Sequence, residues 1–548
     1  FIGVDVFFVI SGFLITSIIQ SQLTLGTFSL KSFYLHRIKR ILPLLFLVIV
    51  ATLVVGYFLL TPASYRSLAN SSLSSVLFSA NFRFAFMGEY FQTKYYKPLL
   101  HIWSLSVEEQ FYFVWPIFLI AINKYVKGNL FRLSLIALLI ILSFLLAEVA
   151  SKNEVFKSFS YFILPTRMGE LLIGCFIALS WQSISELVHY YKLKHLLSVL
   201  GISLIALSLT FIDEKSIFPG VNALFPCLGT AFIIVSGKDS IVAKAIAWKP
   251  LVFVGGISYA LYLWHWPVLT FIRYNYEGYT FSIYSSLVVF TILIFVSYAS
   301  HVLVENKVRF SALNNKSIFL NCFIIPIFVI AGVAIYISKS NGLPSRYNVT
   351  AEMTRSETLG CYNSLWQDTC YISVDSGHNN KALLIGDSHA GHLGHFFRKV
   401  STRYPFSVLD ASSGGCTFYS PRFVDVQCEK VKVKIEKLLP IVSTVIIAKR
   451  FDVSIQDARF HDEFRGYIDL LMSKGLKVIV VAQVPMFERK HILTNYFDKI
   501  AKNLPLDKKE KPNLVYQKAN EGVRKLLSSQ SGVYFLDLES FFCEESIC

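Results

Sequence analysis

The sequence predicts a polytopic α-helical membrane bundle followed by an extracytoplasmic α/β domain built on a parallel sheet. Hydrophobic residues make up 54% of the 548 positions and charged residues only 16%. The mean hydropathy of +0.52 is far above that of a soluble enzyme. Long apolar runs fill the chain up to residue 337, and shorter apolar runs that alternate with polar helical stretches follow them. Most of the first region is therefore expected to lie in lipid.

Ten apolar runs are long enough to cross a hydrocarbon layer that is about 30 Å thick. They lie at 4–20, 41–60, 108–124, 131–149, 160–181, 196–212, 221–236, 252–273, 281–303 and 318–337. The stretch 71–88 is shorter, rich in Ser and interrupted by Asn81 and Arg83, which is typical of a re-entrant or interfacial segment. We therefore expect about ten crossings and one segment that does not cross.

The distribution of basic residues predicts the orientation of the bundle and argues against nucleic-acid binding. The net charge is +16, but Lys and Arg are scattered in short clusters between apolar runs, as the positive-inside rule expects. The richer loops fall on one side and hold Lys31, Arg37, Lys39 and Arg40; Lys124 and Lys127; Lys192 and Lys194; Lys238, Lys244 and Lys249; and Lys307, Arg309 and Lys316. That side is expected to be cytoplasmic, so the parity of the crossings places the chain after residue 338 outside.

The region after residue 338 has the pattern of an α/β domain with a parallel sheet. Short β-type runs, "KALLIGD", "STVIIAKRF", "LKVIVVAQVP" and "GVYFLDL", alternate with helical stretches such as "DEFRGYIDLLMSK". Close-spaced cysteines favour three disulfides in an oxidising compartment. The pairs are Cys361 with Cys370, Cys416 with Cys428, and Cys543 with Cys548. Zinc is the alternative, but no CxxC or His-x-His spacing supports it.

Arg37 and Arg40, in "FYLHRIKRILPLL", lie three residues apart and so share one helical face where a cytoplasmic loop meets a span. Basic residues at such a position commonly serve as topology signals and anchors for lipid phosphates. The alternative is a functional site in which two guanidinium groups hold the phosphates of a cytosolic donor. The residue pattern by itself leaves both interpretations open.

Several ionisable residues interrupt the apolar runs, and such groups normally face a protein interior or a water-filled pocket because exposure to lipid is costly. In "HIWSLSVEEQFYFVWP", His101 and Glu108 are seven residues apart and would share one face of a helix. A satisfied interfacial cap is the alternative for this stretch. The other intrusions, which together predict a shared cavity, are Arg167 and Glu170, His265, and Glu305.

A series of motifs that covers nearly the whole chain in order resembles the membrane acyltransferase-3 family, in the subgroup fused to a periplasmic SGNH domain (the O-antigen acetylase type). The motifs are "FIGVDVFFVISGFLIT", "FYLHRIKRILP", "LLHIWSLSVEEQFYFVWP", "PTRMGELLIG", "FPGVNALFPCLGTAF", "ISYALYLWHWP" and "VENKVRF". The resemblance implies a multi-pass protein of the bacterial inner membrane. It also implies transfer of an acyl group, usually acetyl from acetyl-CoA, to a hydroxyl of a surface glycan such as lipopolysaccharide O-antigen or peptidoglycan.

The resemblance also suggests domains and partners. It implies an acyltransferase-3 membrane domain over 1–315, an extra span with a linker over 316–345, and an SGNH-like domain with a flavodoxin-like parallel sheet over 346–548. The implied partners are acyl-CoA, the glycan or its lipid-linked precursor, and inner-membrane lipids. No permanently bound cofactor or metal is expected, because acetyl-CoA acts as a donor substrate.

In the membrane domain, Arg37 and Arg40 match the family's Arg-x-x-Arg motif, which is associated with acyl-CoA. His101 and Glu108 are carried over as motif residues and are candidate catalytic groups. The family's first span, which holds an Arg and the His that is thought to be catalytic, is expected to lie before Phe1. The principal base of the membrane domain is therefore expected to lie outside this sequence.

In the second domain, "ALLIGDSHAGHLGHFF" combines a strand, a tight turn and a helix, and its Gly-Asp-Ser-His is similar to the first block of SGNH enzymes. Ser388 is the expected nucleophile, because backbone N–H groups at a helix N-terminus help to hold an oxyanion. Gly415, in "SSGGCTF", is a candidate second oxyanion donor, although Gly-Gly also fits a simple turn. His389 and His392 follow on the same helix and are not expected to reach back as the base.

Two expected SGNH elements are not recognisable. The family's Asp-x-x-His motif is absent from the final stretch "DLESFFCEESIC", and "IIAKRFD" occupies the neighbourhood of the Asn block without an Asn. Either the natural protein continues past Cys548 or the outer site is inactive. We favour continuation, because the first span of the family is also missing.

Two other classes of protein remain open. A membrane-anchored SGNH esterase would use Ser388 but would need neither the Arg pair nor the polar groups in the spans. A transporter or flippase would also need many spans, although the sequence shows no inverted repeat or paired broken helices. We expect an acyltransferase, in which Ser388 either carries a covalent acyl group or is bypassed by direct transfer.

Overall fold

The computed structural model describes residues 2–87, 97–153, 156–190, 192–213, 216–275, 282–346, 370–373, 377–416, 418–419, 426–456, 459–485, 514–528 and 530–539. The chain forms two compact units, Phe1–Pro344 and Ser345–Cys548. The described part of the first unit is helical, and the second unit carries a five-stranded sheet.

The helices of the first unit are α1 Gly3–Thr24, α2 Leu30–Leu59, α3 Pro62–Val76, α4 Ala80–Phe86, α5 Ile102–Tyr125, α6 Asn129–Ser151, α7 Lys157–Phe162, α8 Leu164–Leu179, α9 Trp181–Tyr190, α10 Lys194–Phe211, α11 Val221–Ser236, α12 Ile241–Ile246, α13 Lys249–Gly256, α14 Ser258–Asn275, α15 Ile283–Ser300, α16 Lys307–Arg309, α17 Asn315–Phe319 and α18 Ile325–Lys339. Two π-helical turns, His301–Asn306 and Leu320–Ile324, join α15 to α16 and α17 to α18. The described residues of every apolar run that the sequence singles out as a span are largely helical.

The number of spans is lower than predicted. Among the described residues, eight helices are long and apolar enough to cross a membrane, and the bent pair of α13 and α14 would make a ninth. The remaining predicted run, 221–236, forms α11. This helix has only 16 residues and is shorter than the roughly 20 residues of a typical span. The predicted non-crossing stretch covers the end of α3 and all of α4, which have 15 and 7 residues.

Glycines allow a close helix contact between α1 and α8 in the first unit. A Cβ atom built on Gly12 would lie 1.9 Å from the backbone oxygen of Leu171, and one built on Gly174 would lie 2.0 Å from the backbone oxygen of Val9. Small residues let helix backbones approach in membranes, where lipid is as apolar as the side chains and packing supplies most of the attraction. The two glycines therefore fix the distance between these helices.

The second unit contains a fully parallel sheet, as the sequence predicts. Its strands lie in the order β2-β1-β3-β4-β5 and its elements are β1 Lys381–Gly386, α19 Ser388–His392, α20 Gly394–Val400, β2 Ser407–Ser412, α21 Val426–Leu438, β3 Thr444–Ala448, α22 Phe451–Ser454, α23 Phe460–Ser473, β4 Lys477–Val481, α24 Leu514–Leu527 and β5 Val533–Leu536. The four predicted strands form β1, β3, β4 and β5, while β2 adds a strand that the sequence did not single out. The predicted helix forms most of α23.

Strand register brings three loops to one edge of this sheet. Gly386, the last residue of β1, pairs with Ser412 at the end of β2 and with Ala448 at the end of β3. Parallel strands place their carboxyl ends at the same edge, which is where ligands bind in open α/β sheets. The residues that follow β1, β2 and β3 are therefore neighbours.

The cysteines of the second unit agree with the predicted pairing as far as the structure describes them. Cys416 and Cys428 form a disulfide with their Cα atoms 5.3 Å apart, and Cys370 is disulfide-bonded. Cys361, Cys543 and Cys548 lie outside the described residues. The cysteines within helices of the first unit, at 175, 227 and 322, are buried thiols.

Replacing Gly174 by Ala is expected to destabilise the first unit, because the new methyl group would overlap the α1 backbone. Overpacking of this kind typically costs about 1–3 kcal/mol. Thermal unfolding in detergent, followed by tryptophan fluorescence, measures the effect. Gly332→Ala is the matched control, since a Cβ atom at Gly332 meets nothing within 4 Å. Equal melting temperatures for the two variants would contradict the proposed role of this contact.

Candidate active sites

A buried charged cluster holds Arg37 of α2 against α5. The Nη2 atom of Arg37 lies 3.9 Å from Oε1 of Glu108 and 3.8 Å from Oε1 of Glu109. The guanidinium carbon also sits 3.5 Å above the ring centroid of Tyr112, in a cation–π contact. Ser11 of α1 donates a hydrogen bond of 2.7 Å to Glu108, and the Tyr112 hydroxyl donates to the same carboxylate. Three helices therefore meet at the Arg37–Glu108 pair.

The two predicted donor-binding arginines lie in different surroundings. The side chain of Arg37 is only 16% exposed, and its charge is already opposed by two carboxylates. Arg40, one turn further along α2, is exposed. The predicted phosphate-binding fork is untested by these contacts, but the two guanidinium groups are not equivalent.

His101 and Glu108 share a cavity, as their spacing predicts. The cavity has a volume of about 390 Å³ and is also lined by Ser104 of α5 and by Tyr262 and His265 of α14. His101 immediately precedes α5, whereas Glu108 lies in the second turn of that helix. His101 is therefore at the opposite end of the cavity from the Arg37–Glu108 pair. Sequence reasoning named His265 as an intrusion but gave no signal that it would face His101.

A second charged cluster is fully enclosed between α1 and α8. Arg167 lies 3.0 Å from the carboxylates of both Asp5 and Glu170, and all three side chains are at most 1% exposed. The aromatic rings of four residues surround the guanidinium group: Phe8, Trp103, Tyr161 and Phe218. Cys227 brings a third potential metal ligand within 4.8 Å of the two acids, but Arg167 already supplies the positive charge of this cluster.

The prediction of one shared cavity is therefore only partly right. Of the predicted intrusions, His101, Glu108 and His265 line the cavity, whereas Arg167 and Glu170 form the enclosed cluster. Glu305 lies 2.8 Å from the Nδ1 atom of His301 within a π-helical turn. Arg37 and Arg167 each lie within 4 Å of carboxylates, which lowers the cost of holding a charge inside the membrane.

In the second unit, Ser388 lies where the sequence predicts, at the first position of α19 directly after β1. Its residue surface is partly exposed, so its hydroxyl stands at the carboxyl edge of the sheet. Gly386 makes the turn possible, because its φ of +149° suits glycine and a Cβ atom there would lie 1.8 Å from the Ala448 oxygen. The strand, turn and helix therefore present a serine at a helix N-terminus.

Asp387 ties this serine turn to the end of β3. Its carboxylate accepts hydrogen bonds of 2.9 Å from the backbone N–H groups of His389 and Arg450. Lys449 places its ammonium group 3.6 Å from the same carboxylate, and the imidazole of His389 lies 3.3 Å from it. His389 therefore turns toward Asp387, which agrees with the expectation that it is not the base for Ser388.

These contacts set the charges at the sheet edge. Although burial by itself raises it, the pKa of Asp387 is held down to about 2 by the hydrogen bond with His389, the charge of Lys449 and the two backbone N–H groups. Burial lowers the pKa of the Lys449 ammonium, and Asp387 opposes that effect. Asp387 is thus an anion that Lys449 and the backbone hold in place.

The loop after β2, which contains Gly415, reaches the same edge. The backbone N–H of Ser413 donates to the carbonyl of Gly386 at 3.0 Å, and the disulfide from Cys416 ties the loop to α21. Gly415 has a φ of +73° and open space around it. This geometry fits the predicted turn and places Gly415 near the serine turn, while its role as an oxyanion donor remains a prediction.

Sequence reasoning missed several residues that organise this edge. "IIAKRFD", the expected neighbourhood of the Asn block, covers the end of β3, and Lys449 and Arg450 occupy the first positions after the strand. The signal that could have found Lys449 is a lysine placed directly after a fully apolar strand run. Gln483, after β4, accepts a hydrogen bond from the Asp452 backbone and donates its own backbone N–H to Asn520.

The two units together define a membrane protein with an acyltransferase-type bundle and a serine-bearing α/β domain, and both match known families. Residues 1–305 match the acyltransferase domain, and residues 355–548 match the SGNH domain that is fused to AT3 domains. The chain belongs to the acyltransferase-3 membrane proteins that carry a fused SGNH domain. This confirms the family that the sequence motifs indicate.

Several curated relatives are named O-acetyltransferases. The putative peptidoglycan O-acetyltransferase YrhL of Bacillus subtilis is 34% identical over 49% of this chain and 44% of its own length. The peptidoglycan O-acetyltransferase OatA of Listeria monocytogenes is 33% identical over 49% and 45%. A putative O-acetyltransferase of Staphylococcus aureus is 30% identical over 76% and 73%. The matched region thus spans less than half the length of the first two relatives, and no solved structure matches the chain.

Replacing Asp387 by Asn is expected to remove a pH-dependent contribution to the stability of the second unit. The folded-state pKa of about 2 lies below the reference value of 3.8, so the carboxylate stabilises the fold above about pH 4 and loses this effect as pH falls toward 2. The variant should lose about 2 kcal/mol at pH 7. Hydrogen exchange at the amides of β1 and β3, measured from pH 7 to pH 2, tests this.

The exposed Asp462→Asn is the control for that experiment. If stability falls as steeply between pH 4 and pH 2 in Asp387→Asn as in the wild type, Asp387 is not the group responsible.

Proposed function

We propose that this protein is an O-acetyltransferase of the cell envelope, which moves an acetyl group from cytosolic acetyl-CoA across the membrane to a hydroxyl of a surface glycan. The observation that carries the proposal is the presence of two distinct sites in one chain. Arg37 and Glu108 pair beside a cavity in the acyltransferase unit, and Ser388 begins a helix in the SGNH unit. The names of the relatives favour acetyl as the group and peptidoglycan as the glycan, with lipopolysaccharide as the alternative.

The geometry supports unequal roles for the two arginines. Because Arg40 is exposed, a donor phosphate can reach its guanidinium group without breaking a buried pair. Arg37 is held by Glu108 and Glu109, so its main effect is to keep the inner end of the cavity intact. In this proposal Arg40 contributes to donor binding, and Arg37 joins the donor site to the cavity.

We place the SGNH unit outside the membrane. The Cys416–Cys428 disulfide supports this placement, since stable disulfides are typical of oxidising compartments. The alternation of basic and less basic loops also supports it. That argument counts α10 and α11 as two separate crossings. Gly201 and Gly229 favour that crossing, because they bring the two helix backbones into direct contact.

Ser388 is proposed to accept the acyl group before the glycan does. The serine oxygen would attack the acyl carbonyl, and the helix N-terminus would stabilise the negative charge that develops. In the described part of the SGNH unit, the imidazole nearest in sequence to Ser388 is that of His389, which faces Asp387. Deprotonation of Ser388 would therefore depend on a group other than His389.

Replacing Arg40 by Ala is expected to raise the KM for acetyl-CoA by about 10-fold or more, because a charge-assisted hydrogen bond is lost. Arg37→Ala is expected instead to reduce the yield of folded protein, since it leaves Glu108 buried without its partner. The measurement uses membrane vesicles with labelled acetyl-CoA on the cytoplasmic side and detects label on the glycan. Arg309→Ala, an exposed basic residue on the same predicted side, is the control.

An unchanged KM in Arg40→Ala would contradict its role in donor binding. The assay also separates the classes of enzyme, because a membrane-anchored esterase would transfer no label from acetyl-CoA to the glycan.

Replacing Ser388 by Ala is expected to lower labelling of the glycan by at least about 100-fold, because the covalent acyl carrier is lost. In the wild type, mass spectrometry of the trapped protein should find the acyl group on the peptide that contains Ser388. The exposed Ser473→Ala serves as the control. Full labelling of the glycan by Ser388→Ala would show direct transfer and contradict the covalent step.

A further inference from the structure

The cavity in the membrane unit has the size and lining of a ligand site. Its volume of about 390 Å³ falls in the range of small-molecule pockets, roughly 300–1,000 Å³. Aromatic rings from α5 and α14 form much of its wall, including those of Trp103, Tyr259 and Trp266. A few polar groups in a mostly apolar wall are typical of sites that bind and orient a small organic group.

His101 is a buried polar group whose ring is poorly satisfied by the described part of the protein. Only 5% of His101 is exposed. The backbone of Leu263 interacts with the ring, but within the described part of the chain neither ring nitrogen makes a hydrogen bond of good geometry. Buried polar groups are normally paired, so an exception needs an explanation. Because His101 lines the cavity, a bound ligand that offers a carbonyl or hydroxyl group would supply the partner.

His265 faces His101 across the cavity wall in a fixed orientation. Their ring centroids are 5.5 Å apart and the rings are nearly perpendicular. The Nδ1 atom of His265 lies 2.6 Å from the carbonyl oxygen of Tyr262. A carbonyl oxygen can only accept, so Nδ1 carries the proton and the neutral imidazole keeps its lone pair on Nε2. This arrangement is the one that a general base requires.

A hydrogen-bonded chain holds the two histidine-bearing segments together. The Tyr262 hydroxyl donates to the backbone carbonyl of His101, and the Ser104 hydroxyl lies 2.7 Å from the Tyr262 oxygen. Either hydroxyl can donate in the second bond, and the Ser104 hydroxyl also lies 3.4 Å from the carbonyl oxygen of His101. Both bonds join α14 to the start of α5, so the distance between the histidines does not depend on side-chain contacts alone.

We infer that His265 is the proton acceptor for an acyl-transfer step inside the membrane unit, in a cavity that takes the thioester end of the acyl donor. This inference rests on the proposed acetyltransferase function. It assigns to His265 the role of general base, which the sequence motifs led us to expect only in a segment before Phe1. Glu108, at the end of the cavity that meets Arg37, connects this chamber with the donor site.

The step conserves atoms and charge. The oxygen of an acceptor hydroxyl attacks the thioester carbonyl carbon, and its proton passes to Nε2 of His265. The new C–O bond forms, the C–S bond breaks, and the proton on His265 passes to the departing thiolate. The products are an ester and a free thiol, and His265 returns to its neutral form. The ring N–H of His101 can donate to the thioester carbonyl oxygen as it gains negative charge.

The test compares two substitutions of His265 in the full chain, assayed in membrane vesicles with acetyl-CoA. His265→Asn keeps a side-chain N–H near the position of Nδ1, and therefore the bond to Tyr262, but lacks Nε2. We expect kcat to fall by about 100-fold or more, with the KM for acetyl-CoA within about threefold of the wild type. His189→Asn, the same change at an exposed position on α9, is expected to leave both constants unchanged.

His265→Ala adds a readout that a purely structural role would not produce. The shortened side chain leaves room in the cavity for a free imidazole molecule. Added imidazole should therefore raise the rate of this variant by at least about tenfold, and it should not stimulate the wild type. Activity of His265→Asn within threefold of the wild type would overturn the assignment. Loss of activity in both variants without rescue by imidazole would also overturn it, since it would point to a structural role.

The outcome for the wild type separates the two proposals. If wild-type vesicles transfer no acetyl group from acetyl-CoA to glycan, the proposed function fails. If the wild type is active and the His265 variants behave like it, only the assignment of His265 fails.

Discussion

The contact between α1 and α8 is the constraint on which the membrane unit depends. Gly12 and Gly174 let the two backbones touch, and this spacing brings Asp5 within reach of Arg167. It also sets the position of Ser11, whose hydroxyl holds Glu108 from the side of α1. Because lipid provides no hydrophobic force between helices, such close packing decides how the polar groups are arranged.

Each buried arginine of the bundle lies within 4 Å of two carboxylates. Arg37 faces two glutamates, Arg167 lies between two carboxylates, and the cavity contains a pair of imidazoles that can remain neutral. Pairing of this kind keeps the charged groups inside the protein and away from lipid. The two polar regions also differ in role. The Arg167 cluster is fully enclosed, as expected for a structural element, whereas the cavity between α5 and α14 has room for a reacting group.

In the SGNH unit, the edge of a parallel sheet positions the serine turn. Its serine turn must be held rigidly at the sheet edge, and Asp387 does so by binding backbone N–H groups on both sides of the edge. Lys449 directly follows β3, and its charge helps to keep Asp387 ionised. The edge is therefore held by an ion pair and backbone hydrogen bonds, which leaves Ser388 partly exposed.

The sequence by itself determined the division into an apolar helical region and an α/β domain, the family, and the positions of Ser388 and the Arg37 motif. These features are local, because hydropathy, strand periodicity and short motifs depend on neighbouring residues. The sequence predicted ten spans, whereas eight or nine helices among the described residues meet the length of a typical span, because α11 has the apolar pattern but only 16 residues. Pairings between distant segments were decided only by the tertiary structure: Arg37 with Glu109, Arg167 with Asp5, His101 with His265, and Asp387 with Lys449. Such contacts join residues up to 164 positions apart, so they follow from helix packing and strand order, for which a single sequence carries no direct signal.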